Sequence, residues 1–158
     1  MAGDIKTYRV KDVMSSSVIS IEPGDTIVEA LVLMAQYRVT SLPVTDSKQR
    51  CVGVLSTTDL IHPAQTQEEE LHALAHGSEQ ARQALLDRLL HGRLGQHRVS
   101  ELMTGAVTAV QRETPLLDAT REMLRHRIHH LPVVDEHQRL LGIVSTMDIL
   151  GAFHQCHA

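Results

Sequence analysis

Apolar positions along the chain fall into short blocks whose spacing switches between strand-like and helical. Val18-Ile19-Ser20-Ile21 is an extended run, and Glu22-Pro23-Gly24-Asp25 behind it is turn chemistry. Ile27, Ala30, Leu31 and Met34 then recur at i, i+3, i+4 and i+7, which predicts a helix with one apolar face. Leu42-Pro43-Val44-Thr45 reads as a short strand, Asp46–Arg50 as a polar turn and Cys51–Leu55 as the next strand. A helix follows from about Ser56, and Val10–Met14 forms a short turn or helix ahead of the first strand. The order is β-α-β-β-α.

The whole pattern then returns. From Val10 to Ile61 and from Val99 to Leu150 the chain aligns with itself at a spacing of 89 residues without a gap, and 16 of the 52 aligned positions are identical. That is an internal repeat. A copy of roughly 55 residues hides too little apolar surface to be stable alone. The two copies are therefore expected to pack on each other, with a ligand cleft at their seam. The expected fold is α/β (α+β), two β-α-β-β-α units with a helical insertion between them. The divisions fall at 10–62, 63–97 and 98–153. In the insertion, Glu68–His76 and Ser78–Leu90 read as helices, a hairpin that either covers an edge of the paired units or faces a partner. Asp25 or Thr26 could cap the first long helix, and Thr26 with Glu29 has the form of a capping box. Thr26 aligns with Pro115, a residue suited to the first helical position, so Asp25 and Thr114 are the expected caps.

Composition narrows the function classes. Apolar residues are 42% of the chain, aromatics 2% with no Trp, and the net charge is −4. Base-stacking surfaces and a basic footprint are both missing, so no nucleic-acid partner is expected. Neither a signal-like start nor an apolar run of membrane length is present, and two distant cysteines suit a reducing compartment. A cytoplasmic location is expected. Cys51 aligns with Leu140 and reads as a small buried strand residue. No Ser-His-Asp or Cys-His arrangement and no Gly-rich phosphate loop appears, so no catalysis is expected. His72 and His76, a turn after Glu68 and Glu69, and the tail residues His154, Cys156 and His157 could chelate a metal. Solvated surface is the plainer account of both, and no metal is assigned. Met34 and Met123 belong to core stripes.

The chemistry concentrates at the end of the last strand of each copy. Gly53-Val54-Leu55-Ser56-Thr57-Thr58-Asp59 and Gly142-Ile143-Val144-Ser145-Thr146-Met147-Asp148 each carry a hydroxyl and a carboxylate three residues apart, where a helix begins. The free N–H groups of a helix start suit an anion, and a carboxylate can accept both hydroxyls of a ribose diol, about 1.5–3 kcal/mol each. The plainer alternative is that Ser-x-x-Asp only caps the helix.

Two β-α-β-β-α copies, each with an approach like Asp12-Val13-Met14, a Leu-Pro-Val strand and this Gly-to-Asp ending, resemble a tandem pair of cystathionine-β-synthase (CBS) domains. The resemblance implies two units related by pseudo-twofold symmetry that bind an adenosine-containing ligand between them, often as a dimer of pairs. It makes Asp59 and Asp148 the ribose acceptors and Ser56 and Ser145 the phosphate-side hydroxyls. Ser20 takes the first-strand position where the family often has a nucleotide-touching Thr; its counterpart is Ala109. Val39, Pro43, Ile128 and Pro132 join the nucleotide-binding set by the same resemblance. His129 and His130 fall where the nucleotide-sensing subunit of AMP-activated protein kinase directs basic groups at phosphates, whereas the first copy has Thr40 and Ser41 there. The implied function is a regulatory module, without cofactor, that senses AMP, ADP, ATP or S-adenosylmethionine. It would form a homodimer and modulate an enzyme or transporter in trans. The alternatives are a ligand-free dimerisation scaffold and, from the eleven His, a metal- or pH-responsive module.

Overall fold

Helix α1 (Ile27–Tyr37) starts behind Thr26, not Asp25, in the computed structural model. The structure describes residues 4–61, 77–80, 83, 84, 87 and 92–157; the helix expected over Glu68–His76 and most of that over Ser78–Leu90 lie outside them. The Thr26 side chain accepts from the Glu29 N–H at 3.3 Å, and Glu29 Oε2 accepts from the Thr26 N–H at 2.8 Å. This closed box holds the Glu29 carboxyl below the ordinary carboxylate range, chiefly through the Thr26 backbone bond. Asp25 is occupied elsewhere, since its carboxylate accepts from the Glu22 N–H at 2.9 Å. The second copy does the same: Thr114 Oγ1 accepts from the Gln111 N–H at 3.1 Å, and Pro115 is the cap of α4 (Leu116–His126). Asp25 and Thr114 therefore fold the preceding turn, and the cap position passes to the next residue, Thr26 with a side-chain cap and Pro115 without one.

Helices α1 and α4 each end on an arginine in the left-handed region, Arg38 at φ 53° and Arg127 at φ 54°. Val39 N–H then donates to Met34 O at 3.0 Å, and Ile128 N–H to Met123 O at 3.0 Å, closing each last turn in the Schellman manner.

After α1 come β1 (Ser41–Thr45), β2 (Cys51–Ser56) and α2 (Thr57–Ile61); then α3 (Val99–Leu102), α4, β3 (His130–Val134), β4 (Leu140–Ser145) and α5 (Thr146–His157). β1 pairs with β2, and β3 pairs antiparallel with β4 with a register shift at Val133/Val134. The expected first strands shrink to single parallel bridges, Ile21 to Val44 and Val110 to Val133. Proline explains the shortening. Ile21 N–H donates to Pro43 O and Thr45 N–H to Ile21 O, but one step further back would need an N–H on Pro43. Pro132 limits the second copy in the same way.

The chain forms two compact units whose boundaries do not follow the repeats. One holds Met1–Val18, Lys48–Cys51 and Thr108–Ala158; the other holds Ile19–Ser47 and Val52–Val107. In the first, buried Val10 joins the core of Val110, Leu116, Ala119, Met123, Leu131, Val133, Val144, Ile149 and Ala152. Its backbone is tied down by Val10 N–H to Thr114 O and by a reciprocal pair between Ser15 and Ile143. In the second, Val99 joins Ile21, Ile27, Ala30, Leu31, Met34, Leu42, Val44, Leu55 and Leu60. Here Val99 N–H donates to Asp25 O, and Thr104 pairs with Val54 in both directions. Each leading segment thus completes the body of the other copy. Glycine makes the close approach possible: a Cβ on Gly142 would lie 2.5 Å from Ser15 O, and one on Gly53 would lie 2.6 Å from Met103 Sδ.

Candidate functional site

The last strand of each repeat carries its polar pair to the sheet edge. Alternation buries Gly53 and Leu55 on β2 and Gly142 and Val144 on β4, so Ser56 and Ser145 finish half-buried where the next helix starts. Thr57 N–H donates to Thr40 O at 2.9 Å and Thr146 N–H to His129 O at 3.0 Å, anchoring both helix starts to the neighbouring strand.

At each edge the acid folds back on its serine. Asp59 Oδ2 accepts from the Ser56 N–H at 2.7 Å and from its Oγ at 2.9 Å. Asp148 Oδ2 accepts from the Ser145 N–H and Oγ, each at 2.7 Å, while the Asp148 N–H returns a bond to Ser145 Oγ at 3.2 Å. Ser145 and Asp148 therefore form a closed capping box in the first instance, and Ser56 and Asp59 form its carboxylate half. Their second oxygens differ. Asp59 Oδ1 accepts from Thr104 Oγ1 at 3.3 Å, whereas Asp148 Oδ1 accepts no hydrogen bond from the described residues. A half-buried carboxylate oxygen outside its cap is an acceptor ready for a sugar hydroxyl.

His130 completes the second edge. It pairs in register with Ser145 across β3 and β4 and is half-buried. Burial pushes its imidazole below the ordinary His value, with the neighbouring His129 adding to the effect and Asp148 opposing it. His129 itself is exposed. In the first copy two further contacts join hydroxyls. Thr45 Oγ1 donates to Ser20 Oγ at 3.2 Å, and Ser56 Oγ lies 2.6 Å from Thr58 Oγ1. Pro43 and Pro132 are buried, with their carbonyls bonded to Ile21 and Val110. Val39 is 36% exposed and Ile128 packs beside the core of its unit.

The structure thus brings together Ser56 with Asp59, His130 with Ser145 and Asp148, and Ser20 with a residue the sequence reading passed over, Thr45. Thr104, beside Asp59, and Ser41, buried on β1 with no side-chain hydrogen bond among the described residues, also stand outside the expected set. Strand alternation could have found Ser41 and Thr45, because Leu42 and Val44 face the core and their neighbours must face away. Thr104 carries no such signal, since its approach to Asp59 depends on which body its segment joins. Cys51 is half-exposed rather than buried, because it lies at the turn end of β2 with its N–H bonded to Gln138 O. Among the described residues no group of three or more His, Cys, Asp or Glu is placed to hold a metal, and no helix is long and apolar enough to cross a membrane.

A fold of paired β-α-β-β-α bodies with a Ser-x-x-Asp cap at each strand end is that of a CBS domain pair. The CBS domain family profile matches residues 10–64 and 99–155, and the chain belongs to that family. The CBS domain-containing protein YhcV of Bacillus subtilis is 32% identical over 140 residues, covering 89% of this chain and 81% of its own. The structure of CBSX2 (Arabidopsis thaliana) in complex with AMP matches with a TM-score of 0.72 at 29% identity, covering 96% of this chain and 99% of that one. The CBS domain pair of protein MJ0100, in complex with 5′-methylthioadenosine and S-adenosyl-L-methionine, shares the fold with a TM-score of 0.68 at 22% identity, over 93% and 96% of the two chains. Of the inosine-5′-monophosphate dehydrogenase of Methanocaldococcus jannaschii, 26% identical over 142 residues, the chain spans 23% of the length.

Proposed function

We propose that this protein is a non-catalytic regulatory module that binds an adenosine-containing ligand (AMP, ADP, ATP or S-adenosylmethionine) at its strand-end Ser–Asp pairs and acts on a partner enzyme or transporter in trans. One observation carries the reading: Asp148 keeps Oδ1 outside its cap beside a half-buried His130 that faces Ser145. A sugar hydroxyl suits the carboxylate oxygen, and a phosphate suits an imidazole that takes up a proton as the anion arrives. The likeness to a plant CBS protein crystallised with AMP supports the ligand class. The cytoplasmic setting is part of the proposal and rests on cysteine usage in the sequence. Because only differential affinity shifts a conformational balance, the ligand would act by binding one arrangement of the module more tightly than another.

The capping geometry favours a second reading, a dimerisation scaffold without ligand, since both acids already have hydrogen-bonded work in the helix starts. A thermal-melt panel separates the two. Ligand at 100 times its Kd adds about 2.7 kcal/mol, roughly 5–11 °C for a chain of this size. A shift of that order with any of the four ligands supports the sensor. Flat melts across the panel leave the scaffold.

A further inference from the structure

We propose that the two strand-end sites are specialised by charge. The first repeat's site takes an uncharged, hydrogen-bonding nucleoside group with Ser41 as its selecting contact, and the second takes the phosphate-bearing ligand. The inference rests on the nucleotide reading above and adds which site takes which ligand.

Ser41 is 7% exposed, and among the described residues its Oγ is a buried side-chain polar atom with no hydrogen-bond partner. Leaving a hydroxyl in that state is costly, and a site that a ligand completes is a reason for it to persist. Its direction follows from the strand. Leu42 and Val44 enter the core, so Ser41 and Thr45 lie on the opposite face, where Thr45 Oγ1 meets Ser20 Oγ. The counterpart of Ser41, 89 residues on, is His130, the residue in register with Ser145 and within reach of the Asp148 charge. The same offset turns Ser20 into Ala109 and Thr45 into Val134. Across the repeat, three hydroxyls are replaced by one imidazole and two apolar side chains.

The chemistry divides accordingly. At the first strand end the Ser56–Asp59 pair supplies a carboxylate, and Ser41 supplies a neutral hydroxyl where the second copy has His130, so a phosphate dianion brought there would meet repulsion with no imidazole to answer it. Neutral donors and acceptors, such as the hydroxyls and base of a nucleoside, fit this lining. At the second strand end, protonation of His130, in register with Ser145, supplies the charge that a phosphate needs.

Calorimetric titration of the whole chain with adenosine and with AMP tests this, using Ser41→Ala and His130→Ser. Ser41→Ala should weaken adenosine about five- to tenfold, the loss of one neutral hydrogen bond, while AMP affinity changes by less than about twofold. The ligand-free protein should melt no lower, because the variant removes an unsatisfied hydroxyl rather than a bond. His130→Ser should do the reverse, weakening AMP and sparing adenosine. Unchanged adenosine affinity in Ser41→Ala overturns the proposal and makes Ser41 a packing flaw. Equal weakening of both probes by either variant overturns it too, as would AMP binding with none for adenosine. If neither probe binds the unaltered protein, the nucleotide reading falls with it.

Discussion

His130 shows how much one side chain does that its neighbours in sequence do not. It and His129 have the same ionisable group, yet His130 is half-buried on β3 across from Ser145 while His129 is exposed. Burial disfavours the imidazolium, so the folded state holds the His130 proton less tightly than the unfolded chain, whose ordinary value is 6.5. The unfolded state therefore binds more protons through that range, and stability must rise with pH. The contribution is intact above about pH 6.5 and is lost as pH falls below it toward the depressed folded value. Melting temperature followed from pH 7.5 to 5.5 should decline, and His130→Ser should flatten the decline. An unchanged slope in the variant would place the titration on another group. Glu29, Glu101 and Asp135 are lowered mainly by accepting backbone N–H bonds, and their contribution is lost in a separate window below the ordinary carboxylate range. At this scale the sequence was legible for chemistry but not for surroundings. Ser56, Asp59, Ser145 and Asp148 stand out by type and spacing, whereas the exposure that separates His129 from His130 is set by what packs around them.

Among the elements, the caps of α1 and α4 fall one residue later than the sequence pattern predicts. The chosen caps, Asp25 and Thr114, have the right side chains, but each serves a turn closed three residues back, at Glu22 and Gln111. In the first copy two capping side chains, Asp25 and Thr26, competed for one position, and local geometry rather than propensity decided between them. Val39 and Ile128, both in the expected binding set, also close the last turns of α1 and α4 through their N–H groups. The strand crossings carry a sharper consequence. At Gly142 an added Cβ meets the Ser15 carbonyl oxygen at 2.5 Å, a backbone atom that cannot step aside without breaking the Ser15–Ile143 bonds. At Gly53 the nearest atom is the flexible Met103 Sδ at 2.6 Å, although Thr104 O also stands at 3.2 Å. Gly142→Ala should cost about 2–3 kcal/mol, and Gly53→Ala about 1 kcal/mol. Denaturant unfolding of the two variants measures both, and equal costs would contradict this ranking.

Taken as a whole molecule, the chain leaves large apolar side chains in water on α4 and α5 of the second repeat: Leu124 is 74% exposed, Met147 71% and Leu150 58%. Met147 and Leu150 lie one turn apart on α5, a stripe that a second copy could cover. If the proposed homodimer uses it, the double substitution Met147→Glu with Leu150→Glu should turn a dimer into a monomer in sedimentation velocity. A dimer that survives both changes must be held elsewhere.

What the amino-acid sequence determined by itself was local and periodic. It specified two copies in one register, the order of helices and strands after the first strand, the apolar faces of α1 and α4, and a hydroxyl–acid pair at each strand end. These follow from spacings within a few residues, where the backbone admits few alternatives. Tertiary structure alone decided that Val10 enters the core of the second copy and Val99 that of the first. The repeat is the reason: near-identical bodies offer each leading segment two similar docking places, and no local pattern tells one's own copy from the other. From that choice follow Thr104 at Asp59 and Ser15 against Gly142, contacts between residues 45 or more positions apart in the chain.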